Sequence, residues 1–223
     1  MCCRVVIYEV EEGEYRRYLK EILRVQDDTQ IDMLISYNIS PGSFLPVVYN
    51  DIAIKAEGMK WGLVPFWTND EKTMLFNARL ETVDLKATFK ESFNTRRCII
   101  PIKGYYEWKE DKGIKTPYYF HSEDNTLLPL AGLYQKRKVG TEIKHEFTIL
   151  TKLADPDIAH IHDRMPVILD QKDLDIWLDP DQNVIDLKKR LISEHMKLSF
   201  YKVDQLVNST RNDSKQLIER IDN

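Results

Sequence analysis

Cysteine is scarce in this chain: three residues in 223, two of them adjacent at Cys2 and Cys3 and the third at Cys98. A bridge between sequence neighbours is strained and ties no loops together, so a disulfide framework is excluded. Without a CxxC pair or a closely spaced Cys/His set, a structural zinc site is excluded as well. "HIH", with His160 and His162, has no third and fourth ligand nearby in sequence, and neither a metal nor a cofactor is expected. Also missing is any stretch approaching the ~20 apolar residues of a membrane span, and the start lacks the basic segment and apolar run of a secretory signal. These absences lead to the expectation of a cytoplasmic protein without membrane contact, nucleoid-associated if it acts on DNA. Nor is there an excess of positive charge, because 32 Lys and Arg against 36 Asp and Glu leave a net charge of −4. A broad, sequence-independent nucleic-acid coat needs more lysine and arginine than that. A local groove stays open, since residues 86–115 hold eight Lys or Arg against four acids. With no repeat, low-complexity tract or Gly/Ser linker, residues 1–223 read as one domain and one monomer, the polar tail at about 208–223 being the least patterned part.

What is present is a succession of short β-rich runs with a few helical ones. "CRVVIY" reads as a buried strand, and "EYRRYLKEILRV" sets Tyr15, Tyr18, Leu19, Ile22 and Leu23 at helical spacing. Two β runs flank a turn at Asn50 and Asp51, "LKATFKESF" is helical in pattern, and further strands follow at "CIIPIKGYYEWKE", "TPYYFHS", "LLPLAGLYQ" and "HEFTILTK". Their separators "DKG", "EDN" and "KVGTE" carry turn chemistry. Two helices, one capped by Asp170, and a last strand at "LSFYKV" complete the order. The expected class is α+β, with a mainly antiparallel, strongly bent sheet or barrel-like core and flanking helices.

Four chemically loaded residues stand in apolar or aromatic surroundings: Cys2, Asn77 in "LFNARLET", Glu107 in "GYYEWKE" and His162 in "HIHDRMPVIL". Removal of Met1 would give Cys2 two nucleophiles on adjacent carbons, an α-amine and a thiol, whereas Cys3 keeps its nitrogen in a peptide bond. Strand alternation puts Tyr106 and Trp108 on one face of their strand and Glu107 on the other with Tyr105 and Lys109, where a carboxylate in a partly apolar pocket exchanges protons near neutrality. A solvated strand glutamate paired with Lys109 is the alternative. His162 titrates near neutrality when unperturbed, and Asn77 offers a donor and an acceptor from one amide or simply forms a turn. Trp61 and Trp108 read as core aromatics.

These residues, together with "YNISPG", "WGLVPFW", "RRCIIPIKGYYEW", "AGLY" and "HDRMPVIL" in that order, resemble the SRAP family of SOS-response-associated, abasic-site-processing proteins over nearly the whole chain. Family members usually have glycine at the position of Cys3. The resemblance implies an abasic-site sensor that binds single-stranded DNA and is crosslinked to the lesion through Cys2, with peptidase-like self-processing and lyase-like activity. Such chemistry is physically reasonable here. An α-amine, with a pKa of about 7.7 to 8.0, is partly neutral at pH 7 where a lysine near 10.4 is not, so it is the better amine for an aldehyde. The thiol then closes a five-membered thiazolidine by an intramolecular step. By the same resemblance Glu107 moves protons during imine formation, His162 helps the sugar ring open, Asn77 fixes the amine or the adduct, and Arg4, Arg79 and Arg164 contact phosphates. Trp67 is a candidate for stacking on a base, and Arg96 and Arg97 are further candidates for DNA binding. An N-terminal-nucleophile hydrolase acting on peptides or amides would use the same four residues, and a non-catalytic single-strand binder would need only the arginines and Trp67.

Overall fold

The computed structural model describes residues 2–31 and 35–221. Strand β1 (Val5–Ile7) leads to a single α-helical turn, α1 (Glu14–Arg17), that widens into a π-helical turn over Tyr18–Ile22. Bonding from the Leu23 amide to the Tyr18 carbonyl, five residues back, is what departs from the regular helix expected here. The wider turn keeps Tyr15, Leu19 and Leu23, spaced four apart, buried on one face. There follow β2 (Asp27–Gln30), β3 (Ser36–Ile39) and the hairpin β4 (Phe44–Asn50) and β5 (Ile54–Trp61). The middle of the chain gives β6 (Asn77–Arg79), α2 (Ala87–Thr95), β7 (Arg97–Ile102), β8 (Gly104–Asp111), β9 (Ile114–Ser122), β10 (Leu128–Val139) and β11 (Glu142–Leu153). The last elements are β12 (Arg164–Pro166), α3 (Leu174–Leu178), α4 (Ile185–Ser193) and β13 (Leu198–Lys202). No helix among the described residues is long and apolar enough to cross a membrane.

The strands make two sheets, and the α+β class with a barrel-like core read from the sequence is what the chain forms. In the larger sheet, β11, β10, β7, β4 and β5 are neighbours in that order, and β5 returns to β11 in parallel register, Lys60 beside Glu146 and Trp61 beside Phe147. That pairing closes a five-stranded barrel and removes its free edges. Strands β6 and β12 attach to β11, and β2 to β5. The smaller sheet is antiparallel, in the order β13, β9, β8, β1, β3.

Although "CIIPIKGYYEWKE" reads as one run, the chain divides it between the sheets, β7 in the barrel and β8 outside it. Lys103 sits at the crossing, fully buried, with Nζ 2.5 Å from Glu14 Oε1. Gly104 follows because β8 runs too close to β9 for a side chain: a Cβ there would lie 2.5 Å from the Phe120 carbonyl oxygen. At the far end of this hairpin Lys112 and Gly113 both take positive φ, 50° and 81°, as a tight turn between twisted strands requires.

The main core fills the barrel and the space between the sheets. A second apolar cluster covers the outer face of the smaller sheet, where Val6, Tyr106 and Tyr119 meet Val203, Val207, Leu217 and Ile218. The polar tail therefore carries two short helical turns, Gln205–Asn208 and Lys215–Ile218, that are folded onto the sheet. Its contacts reach both edges: the Tyr37 amide on β3 donates to Asp213 at 2.6 Å, and the Ile221 amide donates to the Lys202 carbonyl on β13 at 3.1 Å.

Candidate active site

The start of the chain runs along β8, the Tyr106 amide donating to the Arg4 carbonyl at 2.9 Å, because β1 is an inner strand between β8 and β3. Cys2 is fully buried as a result. Alternation along β8 gives Tyr106 and Trp108 to the outer cluster and turns Tyr105 into the main core, so Glu107 points the same way as Tyr105, toward the start of the chain. Strand β6 delivers Asn77 from the barrel side, held in register with Ile149 on β11. Asn77 Nδ2 donates to the Cys2 carbonyl at 2.9 Å and lies 3.5 Å from Cys3 Sγ, while its Oδ1 is buried with no donor among the described residues. His162 ends a helical turn after β11. Its Nδ1 accepts from the Arg164 amide at 2.9 Å and lies 3.1 Å from the exposed Asp163 carboxylate, and its Nε2 is 3.9 Å from Glu107 Oε2. With Nδ1 taken up by a backbone donor, the neutral ring carries its proton on Nε2, facing Glu107.

Burial sets the electrostatics. Glu107 is 4% exposed, and loss of hydration pushes its carboxyl up to about 7. Burial, reinforced by the Glu107 charge, holds the Cys2 thiol well above the ordinary cysteine range, and burial also raises Cys3 and lowers His162. The thiol is thus a protonated group at neutrality, beside a carboxyl that is near its midpoint. Cys3, Glu107 and His162 border a cleft of about 700 Å³, lined also by Arg4, Trp108 and Ile161, with Glu110, Lys115, Asp163 and Asn208 at its walls, and Cys2 lies buried behind them. A smaller hollow of about 400 Å³ lies over the β5 and β11 seam, and its basic groups are paired: Lys60 and Lys144 both end on Glu71, and His145 on Glu57. Among the described residues no group of His, Cys, Asp or Glu is gathered to hold a metal ion.

Cys2, Asn77, Glu107 and His162 come together, although they are far apart in sequence. The six residues considered for DNA binding do not share one environment. Arg4 lines the cleft, with Nη1 on Asn38 Oδ1 at 2.6 Å and on the Val207 carbonyl at 2.9 Å, and its guanidinium 5.7 Å from the Trp108 ring centre. Arg79 is exposed at the end of β6, two residues from Asn77. Arg164 is buried in a two-pronged pair with Glu81, at 2.7 and 2.9 Å, and donates to the Thr151 carbonyl at 2.7 Å. Arg97 is buried too, and donates to the carbonyls of Phe93, Asn94, Trp177 and Asp179. Arg96 pairs with Glu91 at 2.9 Å beside α2. Trp67 is 62% exposed, edge-on to Phe66, in the loop after β5. Val64 in that loop is pinned by its amide to Glu146 Oε2 at 3.1 Å and by its carbonyl to Gln135 Nε2 at 2.7 Å.

Sequence reasoning overlooked Asn38 and Asn208. Asn38 is a buried amide on β3, and Asn208 Oδ1 accepts from the Trp108 indole at 2.7 Å. The one signal for Asn38 was its place between Tyr37 and Ile39 in "YNISPG"; Asn208 had none.

Residues 1–210 match the family described as SOS response associated peptidase (SRAP). Similar proteins include the abasic site processing protein YoqW of Bacillus subtilis, 36% identical over 192 residues, covering 82% of this chain and 85% of that one. The abasic site processing protein YMR114C of Saccharomyces cerevisiae is 34% identical over 195 residues, covering 82% of this chain and 52% of that one. The abasic site processing protein HMCES of Gallus gallus is 30% identical over 223 residues, covering 84% and 66%. Among solved structures, a phage-related protein of Bordetella bronchiseptica superposes with a TM-score of 0.72 at 29% identity, over 92% of this chain and 95% of that one.

Proposed function

The chain belongs to the SOS response associated peptidase family, and from that premise we propose that it processes abasic sites in single-stranded DNA by covalent capture through Cys2. Removal of Met1 frees the α-amine. The neutral amine adds to the C1′ aldehyde of the opened sugar, the resulting carbinolamine loses water to give an imine, and the Cys2 thiol adds to the imine carbon while its proton passes to the nitrogen. One C–N and one C–S bond form, one water leaves, and the product is a thiazolidine that shields the lesion from strand cleavage.

Each neighbour has a task in this sequence. Glu107, with a carboxyl near 7, takes a proton from the attacking amine and returns it to the departing hydroxyl. It then serves the thiol, whose raised pKa leaves a proton to be removed as sulfur attacks. His162, with its Nε2 proton facing the same carboxylate, acts on the sugar ring oxygen and assists opening to the aldehyde. Asn77 holds the Cys2 carbonyl and offers its open Oδ1 to the amine or the adduct. Arg4 and Arg79 are the arginines we assign to phosphates, and Trp67 to stacking.

The observation that carries this reading is the meeting of a buried second residue, its carbonyl held by the Asn77 amide, with a carboxyl poised near neutrality that lines a cleft open to solvent. The test is incubation of the mature protein with an abasic single strand. The expected result is an SDS-resistant adduct that is absent with an intact strand and lost in Cys2→Ala. Equal crosslinking by Cys2→Ala would remove the thiazolidine, and turnover of peptides with no aldehyde-dependent adduct would replace the reaction with amide hydrolysis.

A further inference from the structure

Arg4 reaches the cleft on a flexible side chain, and an arginine that must meet a phosphate in a fixed orientation needs something to hold its plane. Two acceptors hold it. Nη1 is fully engaged, on Asn38 Oδ1 at 2.6 Å and the Val207 carbonyl at 2.9 Å. On the opposite edge Nη2 makes no hydrogen bond among the described residues, while Nε lies buried behind it. Nη2 is a charged donor that suits a phosphate oxygen, and the Arg4 side chain lines the cleft.

Asn38 in turn is held by the C-terminal segment. Its Nδ2 lies 2.9 Å from the Ser209 carbonyl, 2.8 Å from that of Asn212 and 3.4 Å from that of Val207. The amide is 5% exposed, with donor and acceptor ends both used. Beside it the same segment fixes the Trp108 indole through Asn208, and Trp108 is the ring over which the Arg4 guanidinium lies.

From this arrangement we infer that Asn38 is a positioning residue: it presents Nη2 of Arg4 to a backbone phosphate of single-stranded DNA and ties that orientation to the C-terminal segment. Asn38 itself does not touch the nucleic acid. The inference rests on the reading of the cleft as a DNA site, but not on the covalent chemistry.

The experiment keeps the two apart. Equilibrium affinity is measured for a single-stranded oligonucleotide carrying a tetrahydrofuran abasic analogue, which has no aldehyde and cannot form an imine. The full-length protein is compared with Asn38→Ala, Arg4→Ala and the double variant over a range of salt. Expected are a loss of about tenfold for Asn38→Ala, a salt slope shallower by about 0.7 for one lost phosphate contact, and no further loss when Asn38→Ala is added to Arg4→Ala. An unchanged affinity in Asn38→Ala would overturn the inference. So would an equal loss on the Arg4→Ala background, which is what a merely loosened fold would give, and so would a parent protein that does not bind the strand. Should the expected coupling appear while a true abasic strand is never captured, the proposed reaction falls and the positioning role stands.

Discussion

A carboxyl such as Glu107 is held where its charge is poorly hydrated, and the consequence is measurable without any substrate. In the unfolded chain a glutamate releases its proton near 4.3, while the folded protein holds it to about 7. Between these values the folded state binds the more protons, so stability from this group is complete below the lower value and lost as pH rises through the upper one. The size follows from the shift, about 4 kcal/mol at most. Glu107→Gln therefore gains stability over the parent as pH goes from 5 to 8, read as a growing difference in thermal midpoint, and a difference that stays flat would contradict the burial argument. The same variant should capture abasic strands about 10²-fold more slowly or worse, in line with loss of a general acid–base group. At this scale the sequence was informative where a side chain's surroundings are its own neighbours: a lone carboxylate among Tyr105, Tyr106 and Trp108 is conspicuous. It was silent where the partner lies elsewhere in the chain. Nothing adjacent to Arg164 announces Glu81, and nothing adjacent to Arg97 announces the carbonyls of Trp177 and Asp179 that absorb its donors.

The loop that bears Phe66 and Trp67 keeps two large rings in solvent, yet it is anchored at Val64 by a buried charge. Glu146, 1% exposed, accepts the Val64 amide and Gln135 Nε2, and pairs with Arg137 at 2.5 Å. Glu146→Ala should cost about 3–5 kcal/mol, since it leaves the Arg137 guanidinium buried beside no carboxylate from β11. Denaturant titration reads that loss, and hydrogen exchange at the Val64 amide reads release of the loop. Parental exchange at Val64 would mean that the loop is anchored by other contacts. Most elements could be read from local pattern, as with the β4 and β5 hairpin and the Asp170 cap, whose carboxylate accepts from the Gln171 amide at 2.6 Å. The division between β7 and β8 could not, because "IPIKGYY" keeps β-type residues on both sides of the crossing. Only the buried pairing of Lys103 with Glu14 and the tight approach at Gly104 reveal that the strand changes sheets.

For the molecule as a whole, the outer apolar cluster makes the C-terminal segment part of the fold. Leu217 is 1% exposed against Val6, Tyr106 and Tyr119. Leu217→Ala should destabilise the protein by about 2–5 kcal/mol, measured by denaturant unfolding, and a change within error would show that the segment is only draped over the sheet. Two features of this scale were invisible in the sequence. The barrel closes through a parallel contact between Lys60 to Trp61 and Glu146 to Phe147, a pairing that no local pattern encodes. The tail looked polar because Leu217 and Ile218 are two apolar residues among charged ones, too few to form a periodic signal. The position of β1 has a further consequence for timing. Strand β1 becomes an inner strand only when β8 lies beside it, and the Asn38 amide near it is held by the carbonyls of Ser209 and Asn212, far away in sequence. Contacts so distant in sequence are slow to close, so the cleft is completed late in folding, after the local hairpins.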